Sequence, residues 1–186
     1  MPVEVAAVAA RYQPIGSIDA YLRALPIAFE EYTFVDYGCG KGRALLLASE
    51  FPFKSIIGVE YASMLVDVAL DNIRKYNSAA QKCKNLRVFE SDATHFQPPS
   101  APSVYFLYNP FGREVLEAVL RQIQRTSAGR SHMNYLIYIG PRHRRCLEAT
   151  SDWIIFADHG NWVVYRTAIP AIDGRASVAS DLDARC

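Results

Sequence analysis

The chain has 186 residues, 51% of them hydrophobic and 21% charged; this is enough apolar material for one packed domain and too much for disorder throughout. Twenty Lys and Arg against nineteen Asp and Glu leave a net charge of +1, which excludes a wholly basic nucleic-acid coat and a wholly acidic tail protein but permits a local basic patch. No apolar run approaches the roughly 18 residues of a spanning helix, and residues 1–12 lack the basic and apolar regions of a signal peptide, so no membrane role and a cytoplasmic location are expected.

In chain order, residues 1–30 read as a lead-in, with a short helix over 18–25 between Pro14, Gly16 and Pro26. Residues 32–37 are a β-branched and aromatic run that stops at glycine, the first predicted strand. Ala44, Leu45, Leu47 and Ala48 predict a helix over 42–51, ended by Pro52. Residues 55–59 are almost wholly apolar, as in a strand covered on both faces. Leu65, Ala69, Ile73 and Tyr76 give helical spacing over 64–76. Strands follow at 86–89 and 104–108, separated by a loop with His95, Pro98, Pro99 and Pro102. Leu116, Val119, Leu120 and Ile123 form the inward face of a helix over 114–124, and 134–139 is a fifth strand. The basic stretch Arg142-His143-Arg144-Arg145 opens a short helix and reads first as a charged face. Strands at 153–156 and 162–165 flank a turn at 158–161, an antiparallel hairpin. The main domain is placed at 31–170, and the small, polar tail at 171–186 is expected to be disordered.

This alternation predicts an α/β fold: a doubly wound, mainly parallel seven-stranded sheet, helices on both faces and a C-terminal antiparallel hairpin. Its binding crevice is expected at the carboxyl ends of the strands, where strand order reverses. Cys39, Cys83, Cys146 and Cys186 are scattered, with no C-x-x-C pair and no His at ligand spacing, so neither a metal site nor a disulfide framework is expected.

The sharpest motif is Asp36-Tyr37-Gly38-Cys39-Gly40-Lys41-Gly42, between the first strand and its helix. Its glycines let a ligand approach the backbone. The spacing is G-x-G-x-G; it is neither the dinucleotide G-x-G-x-x-G nor the phosphate-loop G-x-x-x-x-G-K-[ST]. Glu60 ends the second strand, where a carboxylate can accept both hydroxyls of a ribose.

These residues resemble the class I S-adenosylmethionine-dependent methyltransferases over about residues 32–167. The loop reading F-V-D-x-G-x-G-K-G-R is similar to that of bacterial members of unassigned substrate, some related to protein lysine methyltransferases. The resemblance implies S-adenosylmethionine as cofactor, with Asp36, Gly38, Cys39, Gly40 and Gly42 as the first motif. It implies Glu60 as the ribose acid, Tyr61 along the adenine, Asp92 and Ala93 at the adenine amino group, and Asn109 at the junction of cofactor and acceptor. Asn109-Pro110-Phe111 then stands where nitrogen-methylating members carry [DN]-P-P-[YF], one proline shorter, and the three are the candidate catalytic residues. Arg11-Tyr12-Gln13-Pro14 resembles a segment that packs over the cofactor in some lysine-modifying members.

The resulting expectation is a methyltransferase with a nitrogen acceptor on a protein side chain or small molecule. Three rivals stand beside it: a cofactor-binding relative without turnover, a nucleic-acid methyltransferase guided by the Arg142 stretch, and a nicotinamide oxidoreductase, against which the glycine spacing and the hairpin argue. Turn chemistry competes with ligand contact at Asp92 and Asn109, because Ser91-Asp92-Ala93-Thr94 is good capping sequence and Asn before Pro forms Asx turns.

Overall fold

The computed structural model describes residues 18–127 and 132–168. The expected start of the lead-in, with Arg11-Tyr12-Gln13-Pro14, and the expected tail at 171–186 lie outside the described residues.

Seven strands form one sheet: β1 Thr33–Tyr37, β2 Ser55–Glu60, β3 Leu86–Glu90, β4 Ser103–Tyr108, β5 Tyr135–Ile139, β6 Trp153–Asp158 and β7 Trp162–Thr167. Their order is β3-β2-β1-β4-β5-β7-β6. The first five are parallel, while β7 runs antiparallel to both β5 and β6. The chain steps outward from β1 to β3 and then returns to β4 on the other side of β1, which opens a crevice over the carboxyl ends of β1 and β4. This is the predicted fold.

All residues of β1 and β5 are buried, so these central strands carry no polar-out alternation. Phe34, Ile56, Phe106, Ile137 and Val164 face one side, against α1 (Ile18–Arg23), α2 (Arg43–Ala48) and α3 (Ser63–Lys75). Val35, Tyr105, Leu107, Leu136, Tyr138 and Val163 face the other, against α4 (Arg113–Ser127) and α5 (Arg145–Glu148). Helix α4 delivers the predicted stripe of Leu116, Val119, Leu120 and Ile123, all buried. Each such side chain contributes about 1.5–3 kcal/mol on leaving water.

Several predicted boundaries shift: α1 ends at Arg23 rather than residue 25, α4 runs to Ser127 rather than 124, and others shift for local reasons. Helix α2 stops at Ala48 instead of continuing to residue 51, because the Ser49 hydroxyl donates to the Leu46 carbonyl at 2.6 Å and the chain turns there. The hairpin strands run longer than predicted, through Asp158 and Thr167, with a bulge between Ile155 and Ala157 absorbing the register. Asn134, predicted as the first residue of a strand, lies just before β5 and instead ties the sheet base together. Its Oδ1 accepts from the Ser103 N–H at 2.8 Å and its Nδ2 donates to the Ser127 hydroxyl at 2.8 Å.

Candidate functional site at the carboxyl ends of the strands

The glycine loop folds directly over the end of β2. The N–H groups of Gly38 and Cys39 both donate to the Val59 carbonyl, at 2.8 and 3.1 Å. This approach depends on Gly58, where a Cβ would lie 2.7 Å from both Cys39 Sγ and Leu45 Cδ1. Gly38 adopts φ +77°, and a Cβ on it would lie 2.8 Å from Pro110 Cβ. The loop after β1 and the turn after β4 are thereby in direct contact. Gly40 borders open space: a Cβ there would meet nothing within 4 Å. The backbone there is bare to an incoming ligand.

Glu60 is held by main chain. Its Oε2 accepts from the Gly40 N–H at 2.9 Å and its Oε1 from the Ala62 N–H at 3.0 Å. Each oxygen keeps a further lone pair for a ligand hydroxyl. Asp36, two strand positions before Gly38, is buried. Burial, then the nearby Glu60 carboxylate, pushes its carboxyl up to about 8. Burial likewise pushes the Cys39 thiol up, making it a poor nucleophile. Tyr61 and Met64, beside Glu60, are 77% and 73% exposed. Tyr61 is therefore a surface ring at the crevice, whereas Tyr37 is core.

Asp92 takes up the turn role. Its Oδ1 accepts from the Thr94 N–H at 2.8 Å and the Thr94 hydroxyl at 2.7 Å. These bonds hold its carboxyl below the usual carboxylate range. Ala93 next to it is buried.

On the other side of β1, Asn109 directly follows β4 at φ +44°. It is the one residue other than glycine with positive φ among those described. Its Oδ1 is buried with no hydrogen-bond partner among the described residues, a state that costs about 1–3 kcal/mol. Phe111 packs against the α4-side core. A Cβ on Gly140, after β5, would lie 3.9 Å from Asn109 Cβ, and the Gly140 N–H donates to the Asn161 carbonyl at 2.8 Å.

Because β7 is antiparallel, with Ile139 opposite Trp162, the β6–β7 turn stands at the same end as Asn109. His159 stacks on Trp162 at 4.0 Å between centroids, and Tyr21 of α1 packs on the same indole at 4.5 Å. Arg144 clamps this turn, reaching Glu148 at 2.6 Å and Asp158 at 2.7 Å. Arg144 of the basic stretch is thus paired with two acids.

The first motif, Glu60, Tyr61, Asp92, Ala93 and Asn109-Pro110-Phe111 accordingly gather along one end of the sheet. Sequence reasoning missed Gly58, Gly140 and Asn161. Gly58 sits inside an apolar strand, which is the signal for close backbone approach; nothing local marks Asn161, because its contact is across the sheet. Among the described residues no cluster of three or more His, Cys, Asp or Glu has the geometry to hold a metal, and no helix is long and apolar enough to cross a membrane.

A family model described as "Putative methyltransferase" matches residues 30–120, from just before β1 into α4. No curated protein matches the chain in sequence. Among 739 matching solved chains, the ribosomal protein L11 methylase of Lactobacillus delbrueckii subsp. bulgaricus is similar at TM-score 0.56 and 15% identity, covering 82% of this chain and 76% of its own. A dimethyladenosine transferase of Plasmodium falciparum is similar at TM-score 0.58 and 13% identity, covering 84% and 62%. The "Putative methyltransferase yhhF" of Escherichia coli is similar at TM-score 0.61 and 15% identity, covering 84% and 88%. Proteins named for such different acceptors share the architecture, so the likeness defines the fold: this is the class I methyltransferase fold.

Proposed function

We propose that the chain is an S-adenosylmethionine-dependent methyltransferase acting on a nitrogen atom of a protein side chain or a small molecule. The observation that carries this reading is Asn109 Oδ1, a buried acceptor with no partner at the mouth of β4, in a turn that contacts the glycine loop through Gly38 and Pro110. An unpaired carbonyl oxygen in that position accepts a hydrogen bond from the acceptor molecule, and an N–H donor there supports the nitrogen reading. The bare backbone at Gly40, the fixed Glu60 carboxylate and the exposed Tyr61 ring suit a nucleoside-bearing cofactor.

When bound, the cofactor supplies a methyl group already activated on a sulfonium sulfur. The chain's part is then alignment. Glu60 accepts from ribose hydroxyls while its own oxygens stay tied to Gly40 and Ala62. Asp92 spends Oδ1 on Thr94 and offers Oδ2 to the adenine amino group. Ala93 packs beside the base, and Gly38, Cys39, Gly40 and Gly42 give the backbone surface beneath it. Asn109 orients the nucleophile, Pro110 fixes the turn against Gly38, and Phe111 walls off water. Holding reacting atoms about 3–3.5 Å apart accounts for much of the acceleration in such a transfer.

The test is paired. Calorimetry measures binding of S-adenosylmethionine and its demethylated product, and a labelled methyl donor in cell lysate reveals the acceptor. Asn109→Ala is expected to lower transfer far more than cofactor affinity, because its contact matters most in the aligned transition state. Equal loss of both would move Asn109 into the cofactor site, and loss of neither would make 109–111 a structural turn. Label entering nucleic acid would replace the acceptor class, and binding without transfer to any fraction would leave a cofactor-binding relative.

A further inference from the structure

The connection from β3 to β4 differs from the other parallel crossovers. Between β1 and β2, β2 and β3, and β4 and β5 the chain forms α2, α3 and α4, whereas residues 91–102 between β3 and β4 form no helix. Ala93 and Phe96 of that segment pack on the α4 side of the sheet. There the edge strands β2 and β3 have an extended segment over them in place of a helix, and Phe89 of β3 is left 41% exposed.

Two adjoining cavities occupy the space a helix would fill. One, of about 580 Å³, has His95, Gln97, Ser100, Gln122 and Arg125 in its wall. The other, of about 510 Å³, has Ile57, Phe89, Glu90, Phe96 and Pro99 in its wall. His95 and Gln97 border both, so the two form one trench from β3 to α4. Its walls are tied together. Gln122 Nε2 donates to the Thr94 carbonyl at 3.1 Å, and the His95 and Phe96 N–H groups donate to the Asp92 carbonyl at 2.9 and 3.1 Å. The Phe96 ring stands edge-on to Tyr37 at 5.9 Å and tilted against Phe89 at 5.5 Å. A trench held in this way needs little ordering when a ligand enters.

The two ends differ in chemistry. Among the described residues Arg125 forms no ion pair, and no carboxylate borders its cavity. Its planar fork is free to meet a pair of carboxylate or phosphate oxygens, and Gln97 and Ser100 add neutral donors. At the other end Phe89, Phe96 and Pro99 offer an apolar, aromatic surface. The acids nearby stand at the opposite end from Arg125: Glu90 borders the aromatic cavity, and Asp92 bears electrostatically on His95. The trench is also set apart from the crevice at the carboxyl ends of the strands. Helix α4 starts at Arg113, just past the Asn109 turn, and Gln122 and Arg125 lie on its third and fourth turns, roughly 14 to 18 Å further along at 1.5 Å per residue.

We propose that this trench is a second binding site, taking a small molecule that joins a flat aromatic ring to a carboxylate or phosphate group, with the anion on Arg125 and the ring on Phe89. Each cavity is within the size range of small-molecule pockets. The site is independent of the methyl-donor reading above.

The test titrates phenyl phosphate and benzoate separately into the full chain, followed by two-dimensional NMR. Inorganic phosphate lacks the ring and benzyl alcohol lacks the charge. Phenyl phosphate or benzoate is expected to saturate the protein in the low-millimolar range, as befits a ligand of about ten non-hydrogen atoms, with shifts gathered at His95, Gln97, Gln122 and Arg125. The tighter of the two identifies the anionic group. Arg125→Ala should weaken that binding about tenfold or more, and Phe89→Ala about fivefold; both side chains are exposed, and melting curves check that the fold is kept. Binding should be unchanged when S-adenosylmethionine is present. Absence of saturation, equal affinity for inorganic phosphate or benzyl alcohol, or binding indifferent to both substitutions overturns the inference. Displacement by S-adenosylmethionine overturns it as well, because the trench would then belong to the cofactor crevice. A chain that fails to bind S-adenosylmethionine but binds the aromatic anion through Arg125 loses the methyl-donor reading and keeps this site.

Discussion

The β1–β2 side of the crevice is shaped by main chain, and the β4–β7 side by side chains. On the first side, Gly38 and Cys39 hydrogen-bond to Val59, and Gly40 and Ala62 hydrogen-bond to Glu60. On the second, Asn109 is strained and unpaired, Arg144 clamps the hairpin turn, and His159, Trp162 and Tyr21 stack. A backbone-built surface tolerates few substitutions but reads the same in many sequences. A side-chain surface can be rebuilt by substitution while the backbone-built side stays as it is.

The largest effect that would break this contrast is at Gly38. Gly38→Ala carries both the left-handed penalty and the clash with Pro110, together about 2–5 kcal/mol. Gly160→Ala has a similar φ of +75° with nothing within 4 Å, and should cost only about 1–2 kcal/mol. Urea unfolding of the two variants compares them, and equal losses would dissolve the proposed contact between the halves.

Next is Glu60→Gln, which keeps shape but removes a charge-assisted acceptor. Cofactor binding should weaken by about 1.5–3 kcal/mol by calorimetry, and unchanged affinity would place the ribose elsewhere.

Asp36→Asn acts on stability through pH. The folded carboxyl lies at about 8 against an ordinary value of 3.8, so the folded chain holds a proton that the unfolded chain releases. Its contribution is fully present below about pH 4 and is lost as pH rises toward about 8, by up to about 1.4 kcal/mol per pH unit. The variant should lose that slope in denaturant titrations across about pH 5 to about pH 7, and an unchanged slope would assign it to other groups.

The smallest effect is on the side-chain half. Arg144 and its two partners are each about one-third exposed, so Arg144→Ala should cost no more than about 1 kcal/mol and less in high salt. A larger loss would make the hairpin clamp as constrained as the glycine loop.

The succession of strands and helices along the chain and the loop-plus-acid pattern were legible in the sequence because both arise locally: periodicity sets each element, and Gly38, Gly40, Gly42 and Glu60 stand at the ends of adjacent strands. Handedness sets which face of the sheet each connecting helix covers, but the return of the chain to β4 beside β1 is seen only in the structure. The positions of β7 inside the sheet and of Asn161 beside Gly140 were not legible, since a hairpin signal does not say which of its strands meets β5. The unpaired oxygen of Asn109 was hidden for a similar reason. Asn-Pro announces a turn, but only the packing of Pro110 on Gly38 decides where the amide goes.

The interior place of β7 also governs how the chain is made. Strand β5 ends at Ile139 and its neighbour β7 ends at Thr167, so at about 5–20 residues per second the ribosome leaves the buried-type edge of β5 uncovered for roughly 1–6 s. During that interval Tyr135, Leu136, Ile137, Tyr138 and Ile139 form an unpaired strand edge, the kind of template on which chains associate. Neighbouring nascent chains that exchange their 153–167 hairpins would each satisfy that edge with the other's β7, giving a domain-swapped pair with every native strand contact kept. On the parallel half β1, β2 and β3 meet in the order they are synthesised, but the second edge of β1 waits for β4, which ends at Tyr108.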